Sequence, residues 1–95
     1  MPRYSVKHNG MWACFSTIVD AFITPFMAKE SYEQWRLEEY GKAGYKPAEC
    51  SNMMTIGEAV SSTSLNRTYK ETCACLVETG LSVDEVVKLY SEYAE

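Results

Sequence analysis

The stretch 76–86 constrains the fold most, because it predicts that one helix ends and another begins with almost no linker. Gly80 suits the left-handed backbone position just past a helix C-terminus, a conformation that strains other residues. Ser82 is a favoured N-cap, and Glu85 three residues later completes a capping box. Leu81 lies where it can pack against both helices. We therefore predict a C-terminal helical hairpin around Gly80, with the rest of the chain packed around it.

The dipeptide Asn9-Gly10 predicts an N-terminal β-hairpin, since it is a preferred two-residue turn between paired strands. The flanking residues alternate, so that one face of the hairpin is mostly apolar. The facing pairs on that side are His8 and Met11, Val6 and Ala13, and Tyr4 and Phe15. The other face carries Ser5, Lys7, Trp12 and Cys14. We expect a half-buried antiparallel pair whose apolar face is covered by helices, or a sheet extended by a third strand.

The segment 17–27 has two interpretations. Its apolar residues recur at helical spacing; they are Ile18, Val19, Phe22, Ile23, Phe26 and Met27. Thr17 and Asp20 are spaced as a capping box, and Pro25 would end a helix near Thr24. We favour a short buried helix. The alternative is a continuation of the second strand, because β-branched residues are dense here. In either case we expect this segment to lie in the core.

Residues 28–40 are helical in character, and Gly41 predicts the end of this helix. Four large side chains cluster on one side of its helical wheel: Tyr32, Trp35, Arg36 and Tyr40. One interpretation is that the aromatic side chains pack on the core. The other is a partner-binding face, because Tyr, Trp and Arg contribute most to interface energetics.

Three further helices are predicted after an irregular stretch, 41–54, in which residues 45–50 could form an edge strand. Thr55 and Glu58 form a capping box for a helix to about residue 62, where a run of Ser and Thr breaks it. Ser64 or Asn66 caps the next helix. Its apolar stripe comprises Leu65, Tyr69, Thr72, Cys73 and Leu76. The inward residues of the last helix are Val83, Val86, Val87, Tyr90 and Ala94. The opposite side carries Asp84, Glu85, Lys88, Glu92 and Glu95.

These elements predict a single domain, residues 1–95, of the α+β class: an N-terminal β-hairpin, extended or not by a third strand, packed against four to five short helices. The composition agrees, because 46% hydrophobic and 23% charged residues are ordinary for a globular protein.

The charge balance narrows the choice of partner. The net charge is −4, and residues 81–95 carry four carboxylates against one lysine. An acidic chain of this kind is unlike a general nucleic-acid binder but could meet a basic partner. The N-terminal residues lack the apolar region of a signal peptide, and no apolar run approaches the length of a membrane span. We expect a cytoplasmic protein without a membrane partner.

The residue types needed for catalysis or metal binding are scarce. Cys73 and Cys75 are two positions apart on a predicted helix, so they point roughly 200° apart and cannot both hold one metal. Cys14 and Cys50 are isolated, and free thiols are expected in a reducing cytosol. His8 is the single histidine, which leaves a cysteine nucleophile without another imidazole base. We expect no metal, no cofactor and no enzymatic activity.

A small, acidic, aromatic-rich chain without catalytic residues is typical of a protein-interaction module. No motif indicates a family, but this profile would suit an inhibitor or adaptor carried by a phage or mobile element, for example an anti-CRISPR-like protein. The predicted partner-binding residues are Tyr32, Trp35, Arg36 and Tyr40, together with Asp84, Glu85 and Glu92 on the acidic flank of the last helix. That flank could occupy a basic, nucleic-acid-binding groove of a protein partner.

The alternative function is DNA binding by a helix-turn-helix-like arrangement of the helices in residues 64–95. A helix, a tight turn containing Gly and a second helix is the layout of that motif. The first turn of the second helix would meet the DNA, and here it carries Asp84 and Glu85, which phosphates would repel. Protein binding is therefore the preferred hypothesis.

Overall fold

The N-terminal hairpin turns at Asn9 and Gly10, whose φ angles are 53° and 75°. This is the paired left-handed geometry of a tight hairpin turn. In the computed structural model, which describes residues 3–44 and 46–94, it joins β1 (Arg3–His8) to β2 (Met11–Ser16). The predicted register is confirmed, with His8 opposite Met11 and Val6 opposite Ala13.

A third strand, β3 (Ala21–Phe22), pairs antiparallel with β2 and completes a sheet of order β1-β2-β3. The preferred helix over 17–27 is therefore wrong, and the second strand does not continue past residue 16 either. Residues 17–20 form a turn that leaves Ile18 and Val19 exposed. The backbone then returns along β2, where Trp12 and Met27 exchange two N–H···O bonds of 2.8 and 2.9 Å. The helical spacing did not decide the conformation, because backbone groups of this segment form their hydrogen bonds with β2 instead.

The sheet is buried on both faces, which corrects the expectation of a half-buried pair. Val6 and Phe15 pack with Ala59 on one side. Trp12 and Cys14 pack with Tyr32 on the other. Alternation along the strands separates these two cores.

Within the described residues, four α-helices follow the sheet. They are α1 (Lys29–Gly44), α2 (Ile56–Ser64), α3 (Tyr69–Glu78) and α4 (Val83–Tyr93). Helical geometry in α1 is interrupted at Gly41, where φ is 72°, as predicted. Thr55 caps α2 in a reciprocal box with Glu58, also as predicted. The α+β architecture with a sheet followed by helices is thereby confirmed. No helix within the described ranges has the length and apolar character needed to cross a membrane.

The boundary between α2 and α3 differs from the prediction. Ser64 lies inside α2, and the N-cap of α3 is Thr68, whose side chain and that of Glu71 form a reciprocal box. The hydroxyl groups of Thr63 and Ser64 donate to backbone carbonyls of the same helix, at 2.8 and 2.9 Å. Because their hydrogen bonds are made within the helix, the Ser/Thr run extends α2 instead of breaking it.

The edge strand predicted at 45–50 is replaced by a short 3₁₀ helix, Ala48–Cys50; Tyr45 lies outside the described residues. Pairing with the sheet occurs slightly later. Ser5 donates its N–H to the Asn52 carbonyl at 2.8 Å and accepts from the N–H of Met54 at 3.0 Å. This contact ties the irregular stretch to β1.

The corner between α3 and α4 has the predicted glycine and N-cap, but the Glu85 carboxylate does not close the predicted capping box. Gly80 has φ of 94°, and its N–H donates to the Val77 carbonyl at 3.0 Å. The Ser82 hydroxyl accepts from the Glu85 N–H at 3.2 Å. Leu81 packs against the cluster that contains Leu76 and Val86. These contacts set the two helices side by side and position the surface described next.

Candidate interaction surfaces

The aromatic side of α1 is a packing layer. The Tyr32 ring is fully buried and lies between two indoles, 6.0 Å from Trp12 and 5.8 Å from Trp35, nearly parallel to both. Its hydroxyl lies 2.7 Å from the Ser5 hydroxyl. Burial raises the pKa of Tyr32 to about 12, although the hydrogen bond with Ser5 opposes the shift. Tyr32 therefore contributes to the core and not to an exposed face.

Arg36 is also inside, with 7% of its surface exposed. Its Nε and Nη2 donate to the carbonyl of Lys46 at 3.3 and 3.0 Å. The guanidinium lies 5.9 Å from the Tyr32 ring and 5.2 Å from the Tyr40 ring. The structure thus corrects the expectation that the four α1 side chains share an exposed face. Trp35 and Tyr40 are half-buried, and Tyr32 packs against Trp12 and Cys14 because α1 covers this face of the sheet.

The inward face of α4 is rotated from the prediction. Val86 and Leu89 are buried, whereas Val83 and Val87 are 65% and 45% exposed. Leu89, which is absent from the predicted inward set, moves the centre of the apolar side toward Val86 when it is placed on the helical wheel. Tyr93 extends that side by contacting Gly57 of α2. The apolar positions of α4 therefore indicate its buried side correctly only when Leu89 is included.

The apolar stripe predicted for α3 is partly wrong as well. Thr72 and Leu76 are buried, while Leu65 and Tyr69 are exposed. The Tyr69 ring meets the Tyr90 ring of α4 edge-on, with centroids 4.7 Å apart. Because α3 packs beside α4, side chains at their shared boundary can be exposed and still touch one another.

We call the side chains at this boundary the α3–α4 seam. Val83 and Val87 are one turn apart on α4, Tyr90 follows three positions later on the same side, and Tyr69 joins from α3. The seam consists of Tyr69, Val83, Val87 and Tyr90. Val83, Val87 and Tyr90 form an apolar strip along one side of α4, and the contact between Tyr90 and Tyr69 joins it to α3; the sequence interpretation assigns these residues to the core.

The three predicted carboxylates of α4 have different surroundings. Asp84 and Glu92 are exposed, and neither has an ion-pair partner within residues 3–44 and 46–94. The Glu85 carboxylate instead accepts a hydrogen bond from His8, with Nε2 and Oε1 2.7 Å apart. Glu85 thereby links the hairpin end to the first turn of α4, and is only partly accessible to a partner.

The described part of the chain contains neither a disulfide bond nor a cluster of metal-binding side chains. All four cysteines are free thiols, and burial raises the pKa of the Cys14 thiol. No group of three or more His, Cys, Asp and Glu side chains is arranged to hold a metal ion across those same residues.

Comparison of the chain with protein-family models, with curated proteins and with solved structures finds no significant match.

Proposed function

We propose that this chain is a protein-binding module that docks the α3–α4 seam and the adjoining carboxylates of α4 onto a basic protein partner. The observation that carries the proposal is that the solvent-facing side of α4 has exposed apolar side chains along one edge, the exposed Asp84 carboxylate next to them and the exposed Glu92 carboxylate further round the helix. Each feature alone is common on protein surfaces. Together they define a surface that would fit an apolar groove with basic residues at its rim.

The apolar part supports burial against a partner. Val83 and Val87 are exposed one turn apart, and the strip continues through Tyr90 to Tyr69. Scattered apolar residues need no explanation, but contiguous ones are characteristic of interaction sites. Tyr also supplies large contact area and a polar hydroxyl at interfaces.

The charged part supports a basic partner. Asp84 lies beside Val83 on α4, and Glu92 is two turns further along, with Lys88 between them. Residues 81–94 contain three carboxylates and one lysine, a net charge of −2 (3 negative, 1 positive). The complement of this surface is an apolar groove with a basic rim. Basic grooves commonly bind nucleic acid. The negative charge of this surface therefore favours an inhibitor that competes with nucleic acid for the groove of its partner.

It remains a prediction from size and composition that the chain is a phage or mobile-element inhibitor or adaptor, anti-CRISPR-like in profile. The absence of enzymatic activity remains a prediction as well.

The test begins with capture of the partner by the tagged protein from cells of its source, and identification of the partner by mass spectrometry. Calorimetry with the purified partner then compares wild type with Asp84→Asn/Glu92→Gln. We expect roughly tenfold weaker binding and a flatter salt dependence, because this variant lacks two carboxylates that attract the basic partner and form ion pairs with it. Val83→Ser/Val87→Ser should weaken binding without changing the salt dependence.

Lys88→Gln is the matched control, since it removes a charge of opposite sign from the same exposed side of α4. It should leave binding unchanged or strengthen it. Glu85 is left intact in all variants, because its replacement would also break the contact with His8. Wild-type affinity in both double variants would refute the seam model. A low-salt gel-shift with duplex DNA completes the test: retardation that weakens as salt rises would favour the helix-turn-helix alternative instead.

A further inference from the structure

A cavity of about 230 Å³ opens at the edge of α1, between the first residue of β1 and residues 50–52. Its described lining includes three cationic residues, Arg3, Arg36 and Lys46, and no carboxylate. The chain has 13 acidic residues against nine Lys and Arg, so a cavity lined by a third of the basic residues departs from the overall charge. The concentration of positive charge indicates a preference for an anion.

Arg36 is the best-organised of the three cations. Two of its nitrogens donate to the Lys46 carbonyl, and the Tyr32 and Tyr40 ring centroids lie 5.9 and 5.2 Å from the guanidinium carbon. No carboxylate pairs with Arg36 among the residues that the structure describes. A guanidinium that is 7% exposed and lacks a counter-ion is costly unless something else supplies the negative charge. An anion in the cavity would supply it.

Charge counting narrows the class of anion. Arg3 is offset by Glu39, whose Oε1 lies 3.0 Å from Nη1 of Arg3. Lys46 has no ion-pair partner in the described ranges. Three cations and one adjacent carboxylate leave a charge of +2 at the cavity. A carboxylate ligand would neutralise half of it, whereas a phosphate dianion would neutralise all of it.

The donors fit the same class. Arg3, Arg36 and Lys46 provide charged N–H groups, and Asn52 adds an amide at the cavity wall. A phosphoryl group presents three terminal oxygens, which match several convergent donors better than the two oxygens of a carboxylate do. The volume exceeds the roughly 30 Å³ of one water several-fold, yet lies below the range of drug-sized pockets. It suits a phosphoryl group with a small substituent.

We propose that the cavity lined by Arg3, Arg36, Lys46 and Asn52 binds a small phosphate monoester as its dianion. The guanidinium of Arg36 orients the phosphoryl group, Arg3 and Lys46 neutralise it, and the open side of the cavity admits the substituent. Binding would be noncovalent and reversible. The site lies on α1 and β1, apart from the α3–α4 seam, and does not depend on the proposed protein partner.

The experiment is a two-dimensional amide NMR titration of the full chain with inorganic phosphate, phenyl phosphate and acetate at constant ionic strength. We expect saturable shifts centred on residues 50–52 with both phosphates, and weaker ones with acetate. Tighter binding of phenyl phosphate than of phosphate would assign the source as an organic monoester; equal binding would assign it as free phosphate. Equal binding of acetate, or no saturable shift, would overturn the proposal.

Lys46→Gln is the first variant, because its side chain is exposed and the carbonyl that holds Arg36 is retained. It should weaken phosphate binding roughly tenfold, the loss expected for one charge-assisted hydrogen bond. Arg36→Lys, which keeps the charge but not the fork, should weaken it further. Lys70→Gln is the control, as Lys70 is exposed on α3. An equal loss of phosphate affinity in Lys70→Gln would show that net charge alone causes the effect, and would refute the site.

Discussion

The ring of Tyr93, at the end of α4, lies directly against Gly57 in the first turn of α2. A Cβ built at Gly57 would stand 2.8 Å from both Cδ1 and Cε1 of that ring, closer than real side chains approach. The close approach of the two helices here depends on the missing side chain. It also explains why a glycine is present near the start of a helix that is otherwise well capped.

We expect Gly57→Ala to destabilise the fold, even though Ala is the better helix former by about 1 kcal/mol. The methyl group would collide with the Cδ1–Cε1 edge of the Tyr93 ring, and such overpacking typically costs about 1–3 kcal/mol. Urea unfolding measures the change. In a Tyr93→Ala background the collision disappears, so the same substitution should become neutral or stabilising. The same loss of stability in both backgrounds would contradict the contact.

Replacing Thr72 by a residue of the same shape without a hydroxyl should not destabilise the fold and could stabilise it. Its Oγ1 is buried and has no hydrogen-bond partner within the described structure, which costs free energy of desolvation. Thr72→Val keeps the shape, so we expect unchanged or higher stability, by up to about 1 kcal/mol. The matched control is Thr63→Val: Thr63 is equally buried, but its hydroxyl donates to the Ala59 carbonyl at 2.8 Å. Thermal unfolding should rank Thr72→Val above Thr63→Val, and the reverse order would count against this assignment.

Tyr32 should make the fold sensitive to alkali. Burial raises its pKa from 10.0 to about 12, so the folded state keeps the phenol proton after the unfolded chain has lost it. The resulting stabilisation is complete below pH 10 and is lost as the pH rises toward 12. Two pKa units correspond to roughly 3 kcal/mol.

The measurement is the free energy of unfolding as a function of pH for wild type and Tyr32→Phe. The wild type should lose more stability than the variant across this window. The buried thiol of Cys14 also has a raised pKa and interacts with Tyr32, so the two curves are measured again in a Cys14→Ala background, where their difference reports Tyr32 alone. Parallel curves would mean that the Tyr32 hydroxyl is accessible to solvent.

Local signals were sufficient for several elements. The turn at Asn9-Gly10, the capping box at Thr55 and the left-handed Gly80 all depend on interactions between residues at most four positions apart. Such interactions are present in the sequence itself, so turns and helix ends could be predicted from it.

The capping box at Ser82 shows where that reasoning stops. Its backbone half is present, with the Glu85 N–H on the Ser82 hydroxyl. Its carboxylate half, which occurs at Glu58 and Glu71, is replaced by a contact with His8, 77 positions away along the chain. A distant partner competed for the same carboxylate, and no local pattern could have indicated that.

The sequence by itself therefore determined the α+β class, the hairpin register and the helical corner at Gly80. The tertiary structure alone decided which apolar residues are covered: Val83 and Val87 are exposed, Arg36 is buried, and residues 17–20 form an exposed turn before β3. The physical reason is that hydrogen bonds in turns and caps are local. Burial is set by which elements pack together, and neither spacing nor residue type specifies which side of a helix meets its neighbours.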